Sequence, residues 1–338
     1  MVLRIMKRLI LVVLCTIGMT AGAQEKDSLL VMFWNMENFF DWTDQGTGES
    51  DSDFSSFGSR HWTKGRFFAK CDAISKSLMW IGDQYGRMPD FIGLAEIENK
   101  GVLTRLLSST LLRKYGYGII HYESQDRRGI DVAALYRKSS MTPVSTTVIS
   151  PENLHTRDIL HARMRLSDDR TIDFIVNHHP SKYGGAEESM HKRSMVMKEL
   201  KHLVDSLCRI QPHAVAFSES VREIHKDRSL SCNIVAMGDF NDTPDATQFN
   251  ILDTTLVNHG LPLHQKGLGT IRYKGKWELI DFFLSTSGTH TSDMQVIKIP
   301  FLMTYEKKYP GEKPLRTYSG PRYIGGVSDH CPICIRVR

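Results

Sequence analysis

The sequence predicts an α/β fold in one domain, and three observations carry that reading. Four apolar runs of buried-strand character each stop at a residue able to hold a metal ion or a phosphate. Amphipathic helical stretches lie between some of these runs, and no Pro/Gly linker, repeat or low-complexity tract divides the chain. A length of 338 residues, 41% hydrophobic and 24% charged, suffices for a substantial core without help from disulfides.

The first 23 residues stand apart. Arg4, Lys7 and Arg8 precede an apolar stretch from Leu9 to Cys15, and Ala21-Gly22-Ala23 supplies a small-x-small cleavage site. These are the three regions of a secretory signal, too short for a comfortable membrane span. Leu14 before Cys15 argues against a lipoprotein signal, and a retained N-terminal anchor is the alternative reading. The expectation is residues 1–23 as signal and 24–338 as the exported domain, periplasmic or secreted, without a stable membrane anchor. The full chain carries +5, but residues 1–23 hold three bases and no acids, leaving 40 bases against 38 acids. Bulk charge therefore does not argue for a nucleic-acid partner. Cleavage would also remove Cys15 and leave five cysteines, an odd number, so at least one thiol stays free or pairs between chains. The CxxC spacing of Cys331 and Cys334 runs into an alternating strand pattern at 335–338, where packing is the better account than redox or zinc chemistry.

Taken in order, Leu29 to Trp34 is a strand ending at Asn35, and residues 43–60 form a loop whose acids read as solvated. Phe67, Cys71, Ile74, Leu78 and Ile81 recur at helical spacing and predict a helix over 63–81. Phe91 to Ala95 is a strand ending at Glu96, and Ile172 to Val176 another ending at Asn177-His178. Val196, Leu200, Leu203, Val204 and Leu207 place a helix over 187–207, followed by an insertion at 211–231 with a short helix at 218–225. Ile234 to Met237 then leads into Gly238-Asp239-Phe240-Asn241. On an extended chain Asp239 and Asn241 share a face, which suits a hard cation or a phosphoryl oxygen; alone, the run to Asp245 supports an Asx-rich turn equally well. Residues 277–284 read as one apolar strand with Asp281 inside it, and a buried carboxylate there needs a strong donor. His330, just before the last strand, meets that need, Asp281 fixing its tautomer and raising its basicity. In α/β sheets ligands gather at the carboxyl ends of strands, so the convergence of these residues points to a site.

The order Asn35, Glu96, His178, Asp239-x-Asn241, Asp281, Asp329-His330 resembles the endonuclease/exonuclease/phosphatase superfamily over about residues 29–337. Gly-Asp-Phe-Asn at 238–241 and Ser-Asp-His-Cys-Pro-Ile at 328–333 are specific in combination, whereas Trp34-Asn35-Met36 alone is weak. Residues 128–133 and 269–275 are also similar to secreted bacterial members. The resemblance implies a deoxyribonuclease I-like, four-layered sandwich of two mixed β-sheets flanked by helices, with the site where the sheet ends meet. It implies Glu96 as principal ligand of Mg²⁺ or Mn²⁺, with Ca²⁺ a further candidate, Asn35 beside it and Asp329 as ligand or orienting group. It implies Asp239 and Asn241 aiming water and phosphoryl oxygens, His330 on Asp281 as base or charged clamp, and His178 as a second histidine. Adjacent Asp329 and His330 cannot share one face of a regular strand, so a bend is expected there.

Arg128 and Lys182 adjoin these motifs and are the expected phosphate contacts, with Arg127, Tyr183 and His191-Lys192-Arg193 as further basic or aromatic candidates. His179-Pro180 departs from the apolar-Lys pair of related motifs, leaving Lys182 to carry the basic role. The leading expectation is a monomeric, exported, metal-dependent phosphodiesterase acting on DNA or RNA, in the manner of an endonuclease. The alternative is a phosphatase or sphingomyelinase-like enzyme acting on lipid or sugar phosphates, for which residues 300–303 are a candidate apolar contact. A binding protein that has lost catalysis is the third reading, opposed by the full set of acids and both histidines.

Overall fold

The computed structural model describes residues 28–46, 48–182, 185–210 and 232–338. The expected signal at 1–23, the short helix at 218–225 and Tyr183 lie outside the described residues. Among the described residues no helix is long and apolar enough to cross a membrane.

Strands and principal helices are numbered in chain order: β1 (Leu29–Phe39), α1 (Lys64–Tyr85), β2 (Phe91–Ile97), α2 (Lys100–Ser109), β3 (Tyr117–His121), β4 (Asp131–Arg137), β5 (Met141–Ile149), β6 (Ile159–Leu166), β7 (Thr171–His178), α3 (Ala186–Ile210), β8 (Ile234–Asp239), β9 (Leu256–Asn258). There follow β10 (Ile271–Tyr273), β11 (Lys276–Glu278), β12 (Asp281–Thr286), β13 (Gln295–Val296), β14 (Met303–Glu306), β15 (Gly311–Pro314), β16 (Tyr318–Ser319), β17 (Arg322–Tyr323) and β18 (Ile333–Val337). One six-stranded sheet has the order β13-β18-β1-β2-β4-β3 and the other β5-β6-β7-β8-β12-β9; the rest are two-stranded ribbons. Both large sheets are mixed, since β1–β2 and β7–β8 run parallel while their other neighbours run antiparallel.

Period-two alternation decides which face each strand buries. Val31, Phe33, Phe91 and Val132 of the first sheet join Phe174, Val176, Val235, Met237 and Phe283 of the second in one core. Phe91 stacks on Phe174 with ring centroids 4.1 Å apart, and Gly93 lets the sheets close, because a Cβ there would lie 2.7 Å from Met237 Sδ. The opposite face of the first sheet, with Met32, Trp34, Ile92 and Leu94, packs on Phe67, Cys71, Ile74 and Leu78 of α1 and on Leu103 and Leu106 of α2. Val196, Leu200 and Val204 of α3 extend the core beyond the second sheet. The predicted sandwich of two mixed sheets flanked by helices is the fold observed.

Helix boundaries follow local chemistry. Thr63 caps α1 by accepting from Arg66 N, and Gly86 ends it in a left-handed turn at φ 70°. Asn99 caps α2, a helix the apolar spacing alone did not suggest, by accepting from Val102 N at 3.1 Å. The expected single strand over 277–284 is two: Lys276–Glu278 pairs with β10 in a ribbon, and Asp281–Thr286 pairs with β8 and β9. The chain changes sheets at Leu279-Ile280, so Asp281 opens a strand rather than sitting within one. In the 43–60 loop Asp51 is buried and accepts from Gln45 N at 2.7 Å, contrary to a wholly solvated loop. Cys208 and Cys232 form a disulfide, while Cys71, Cys331 and Cys334 are free and buried as packing residues.

Candidate active site

The inward faces of three neighbouring strands end in one polar row. Asp239 at the end of β8 is registered against His178 at the end of β7 and against Asp281 at the start of β12. Each continues an inward alternation, His178 after Val176, Asp239 after Met237 and Asp281 before Phe283. Gly238 permits the close approach of β7 that this row needs, since a Cβ there would meet Asn177 O at 2.4 Å. Across the sandwich, Asn35 extends the inward face of Val31 and Phe33, and its Nδ2 donates to Asp239 Oδ2 at 3.0 Å and to Glu96 Oε1 at 3.3 Å. Asn35 Oδ1 accepts from Glu37 N at 2.9 Å.

Strict alternation would turn Glu96 to the helix side with Leu94. Instead Glu96 takes a left-handed conformation at φ 60°, and the β2–β4 register shifts between Ala95 and Ile97. A bulge of this kind re-aims a side chain at some cost in strain. Glu37 (φ 46°), Asn38 (φ 51°) and Asn241 (φ 49°) share that conformation, so four non-glycine residues with positive φ lie at or beside the strand ends that carry the site. Glu96 Oε2 accepts from Asn38 N at 2.7 Å and lies 3.5 Å from Arg128 Nη2, which also donates to Asn38 Oδ1.

His330 sits where the chain bends, as expected for Asp329-His330. Ser328 Oγ donates to Asn35 O at 2.6 Å and accepts from His330 N at 3.0 Å, tying the bend to β1. The imidazole Nδ1 meets Asp281 Oδ2 at 2.8 Å and Oδ1 at 3.1 Å, leaving Nε2 3.8 Å from Asp239 Oδ2. Thr270 Oγ1 also donates to Asp281 Oδ2.

The two histidines are driven in opposite directions. Burial alone would push His330 down, but Asp281, with Asp239 and Asp329 adding, holds it well above an ordinary imidazole. Burial, reinforced by the positive charges of Arg157 and Arg128, holds His178 well below, so it is neutral. Asp239 is pushed up to about 7 by burial and by the Asp281 charge beside it. Glu37, buried and near Asp329, also rises to about 7.

The remaining expected residues divide. Asn241 does not point alongside Asp239: its backbone N donates to Asp239 Oδ1 at 2.9 Å and its side chain to His179 O at 2.9 Å. The Asx turn and the site are one structure, because Asn241 leaves the extended conformation just after β8. Asp329 is partly exposed, 3.1 Å from Arg316 Nη2 and 3.9 Å from His330 Nε2. Lys182, at the exposed rim, pairs with Asp242 at 3.2 Å rather than with the row. Arg193, expected at a surface, is buried against that same Asp242.

Several neighbours went unforeseen. Glu37 carries Arg316 and Thr317 N on its carboxylate at 2.8–2.9 Å. Lys70, fully buried in α1 and lowered by burial to about 8, donates to Glu37 O at 2.7 Å. Glu37 lies two residues beyond Asn35, a spacing that could have flagged it; Arg316 and Lys70 carry no such signal. Two cavities are lined by residues neighbouring those of the site. One of about 350 Å³ is lined by Arg127, Arg157, Pro180 and Lys192, and another of about 180 Å³ by Glu37, Asn38, Arg60 and Arg316.

A family model described as Endonuclease/Exonuclease/phosphatase family matches residues 30–338. No curated protein matches. Among solved structures, the chain is similar to a mannosyl-6-phosphatase of Bacteroides thetaiotaomicron, with 13% identity, TM-score 0.56, and 92% of this chain and 100% of that one covered. It is similar to humanized D. rerio TDP2 at 14% identity and TM-score 0.53, over 92% and 99% of the two chains. The human Nocturnin catalytic domain, solved with a sulfate anion, gives 12% identity, TM-score 0.52, and 92% and 93% coverage. At such identities the likeness establishes the fold.

Proposed function

The chain belongs to the endonuclease/exonuclease/phosphatase family, and on that premise we propose that it is an exported, divalent-metal-dependent phosphodiesterase, in its simplest form an endonuclease-type nuclease. The observation that carries the reading is the row His178–Asp239–Asp281 with His330 seated on Asp281.

The donor set fits a hard divalent cation. Glu96 and Asp239 present carboxylates to one Asn35 amide, and Asp329 and Glu37 lie on the same side around Arg316. Oxygen donors of this kind suit Mg²⁺ or Mn²⁺. Glu96 and Asp329 would hold the ion, with Asn35 contributing its oxygen if the amide turns from Glu37 N. When bound, the cation supplies Lewis-acid polarisation of a phosphoryl oxygen and stabilisation of the leaving oxyanion.

The chain's own groups then act on substrate and water. Asp239, at about 7, is poised to take a proton from an attacking water near neutral pH. His330, charged, donates from Nε2 to a phosphoryl oxygen on which charge develops. His178, neutral, offers an uncharged hydrogen bond beside it. Environments that push titratable neighbours apart in this way separate base from acid. Asn241 acts by holding the His179 carbonyl and the turn after Asp239, while Arg128 holds Glu96 and faces the substrate anion.

The test uses residues 24–338 on plasmid DNA, RNA, sphingomyelin and sugar monophosphates, each with Mg²⁺, Mn²⁺ or EDTA. Metal-dependent cleavage of a nucleic acid is expected. Hydrolysis of sugar monophosphates alone would replace the reading with a phosphatase, and hydrolysis of none would end it. Export is tested by N-terminal sequencing of the protein outside the cytoplasm, which should begin near Gln24.

A further inference from the structure

The cavity of about 350 Å³ reaches the size of small-molecule pockets, about 300–1,000 Å³, and none of the four residues of the row lines it. Its wall includes Arg127, Leu154, Thr156, Arg157, Pro180 and Lys192. Two of these are more than nine-tenths buried, Thr156 at 6% exposure and Arg157 at 7%. Each keeps a polar atom that is shut off from solvent and has no hydrogen-bond partner among the described residues, Thr156 Oγ1 and Arg157 Nε. Unpaired buried donors are uncommon and costly, and two on neighbouring residues of one cavity wall point to an acceptor from outside the chain.

The charges say what kind of acceptor. Arg157 pairs with Asp126 Oδ2 at 3.0 Å, and Lys192 pairs with Glu188 Oε1 at 2.7 Å. Arg127 has no such partner among the described residues, while its carbonyl accepts from Glu49 N at 2.7 Å and so holds its backbone. Against these three bases stand Glu188 in the wall and Asp126 on Arg157, which leaves the Arg127 charge uncompensated. A phosphate is an anion that accepts from guanidinium and hydroxyl groups together. Leu154 and Pro180 offer apolar surface to the group that carries it.

Two walls of the cavity lead directly into the catalytic residues. Arg157 Nη2 donates to His179 O at 2.6 Å, the carbonyl to which Asn241 Nδ2 also donates at 2.9 Å, and Pro180 follows His178-His179 in the chain. Arg127 immediately precedes Arg128, which reaches Asn38 and Glu96. We propose that this cavity is a substrate subsite for a second phosphate and its sugar, one nucleotide along from the scissile phosphate on the row. The assignment rests on the phosphodiesterase reading and narrows its substrate to a nucleotide chain, with a phosphate on each side of a sugar.

The test is calorimetric titration of residues 24–338 with thymidine 3′,5′-bisphosphate and with thymidine, in EDTA so that no hydrolysis intervenes. The parent should bind the bisphosphate more tightly than thymidine. Arg127→Gln should raise the bisphosphate Kd about tenfold or more. Thr156→Val changes no charge and removes an unpaired hydroxyl, so it should raise that Kd about threefold or more without lowering the melting temperature. A parent that binds both ligands equally, or an unchanged bisphosphate Kd in either variant, would overturn the subsite, whether or not the parent cleaves nucleic acid. Binding that depends on Arg127 and Thr156 in a protein that cleaves no diester would keep the phosphate site and strike the phosphodiesterase reading instead.

Discussion

Replacing Asp281 with Asn keeps the shape of the strand start and removes the charge that holds His330. With His330 Nδ1 and Asp281 Oδ2 2.8 Å apart, the Coulomb attraction is roughly 6 kcal/mol at an effective dielectric of about 20. Burial of both groups takes back several kcal/mol. The balance favours the charged imidazole, the direction in which Asp281 moves His330. His330 is raised on folding, so its contribution to stability is complete below the unfolded imidazole pKa and is lost as pH rises through the folded value. Asp281→Asn removes that contribution and moves the His330 titration to lower pH. It also relieves the repulsion on Asp239, which falls from about 7. Both limbs of the pH–rate profile should shift downward and turnover should fall about 10²–10⁴-fold. Ring-resolved NMR titration and pH-dependent kinetics read both effects. A variant in which His330 titrates as in the parent, or which retains full turnover, would refute the assignment of the pair.

Three stability measurements test the scaffold. Asp173, fully buried, accepts from Arg163 at 2.9 and 3.0 Å and contacts His161 at 2.7 Å, so Asp173→Asn should cost about 3 kcal/mol in urea unfolding. Burial would raise the Asp173 carboxyl, but His161 and Arg163 hold it below its usual range. Its contribution is present above the unfolded carboxylate pKa and lost as pH falls through the folded value, an acid limb the variant should lack. Gly93→Val forces side-chain atoms between Met237 and Phe33 and should cost about 1–3 kcal/mol; an unchanged melting temperature would contradict the sheet packing. Cys208→Ser opens a loop of sequence separation 24 and should lower stability by about 3 kcal/mol relative to the oxidised parent, with reductant erasing the difference.

How much of this was legible beforehand differs by residue. His178 and Asp239 were legible because an apolar strand that stops at a polar residue is a local pattern, and period two then aims that residue along the inner face. Asp281 was found as an acid needing a donor, but its place at the start of a strand was not, since the switch between ribbon and sheet depends on partners far along the chain. The second sheet's edge strands β5 and β9, its neighbouring strand β6 and helix α2 carry weaker patterns and were not separated in advance. Asn241 obeyed its turn chemistry rather than strand geometry. Glu37 escaped notice because its partners Arg316 and Thr317 lie 279 and 280 residues away.

The sequence by itself determined the fold class, the family and the identity of the polar strand ends, because burial periodicity and motif order are properties of neighbours along the chain. Tertiary structure alone decided which of those residues meet, that a bulge turns Glu96 toward Asn35, and that burial with Arg157 and Arg128 holds His178 neutral beside a charged His330. Register, burial and the sign of the nearest charge are set by residues distant in sequence, and those are what convert a row of polar residues into groups with different chemistry.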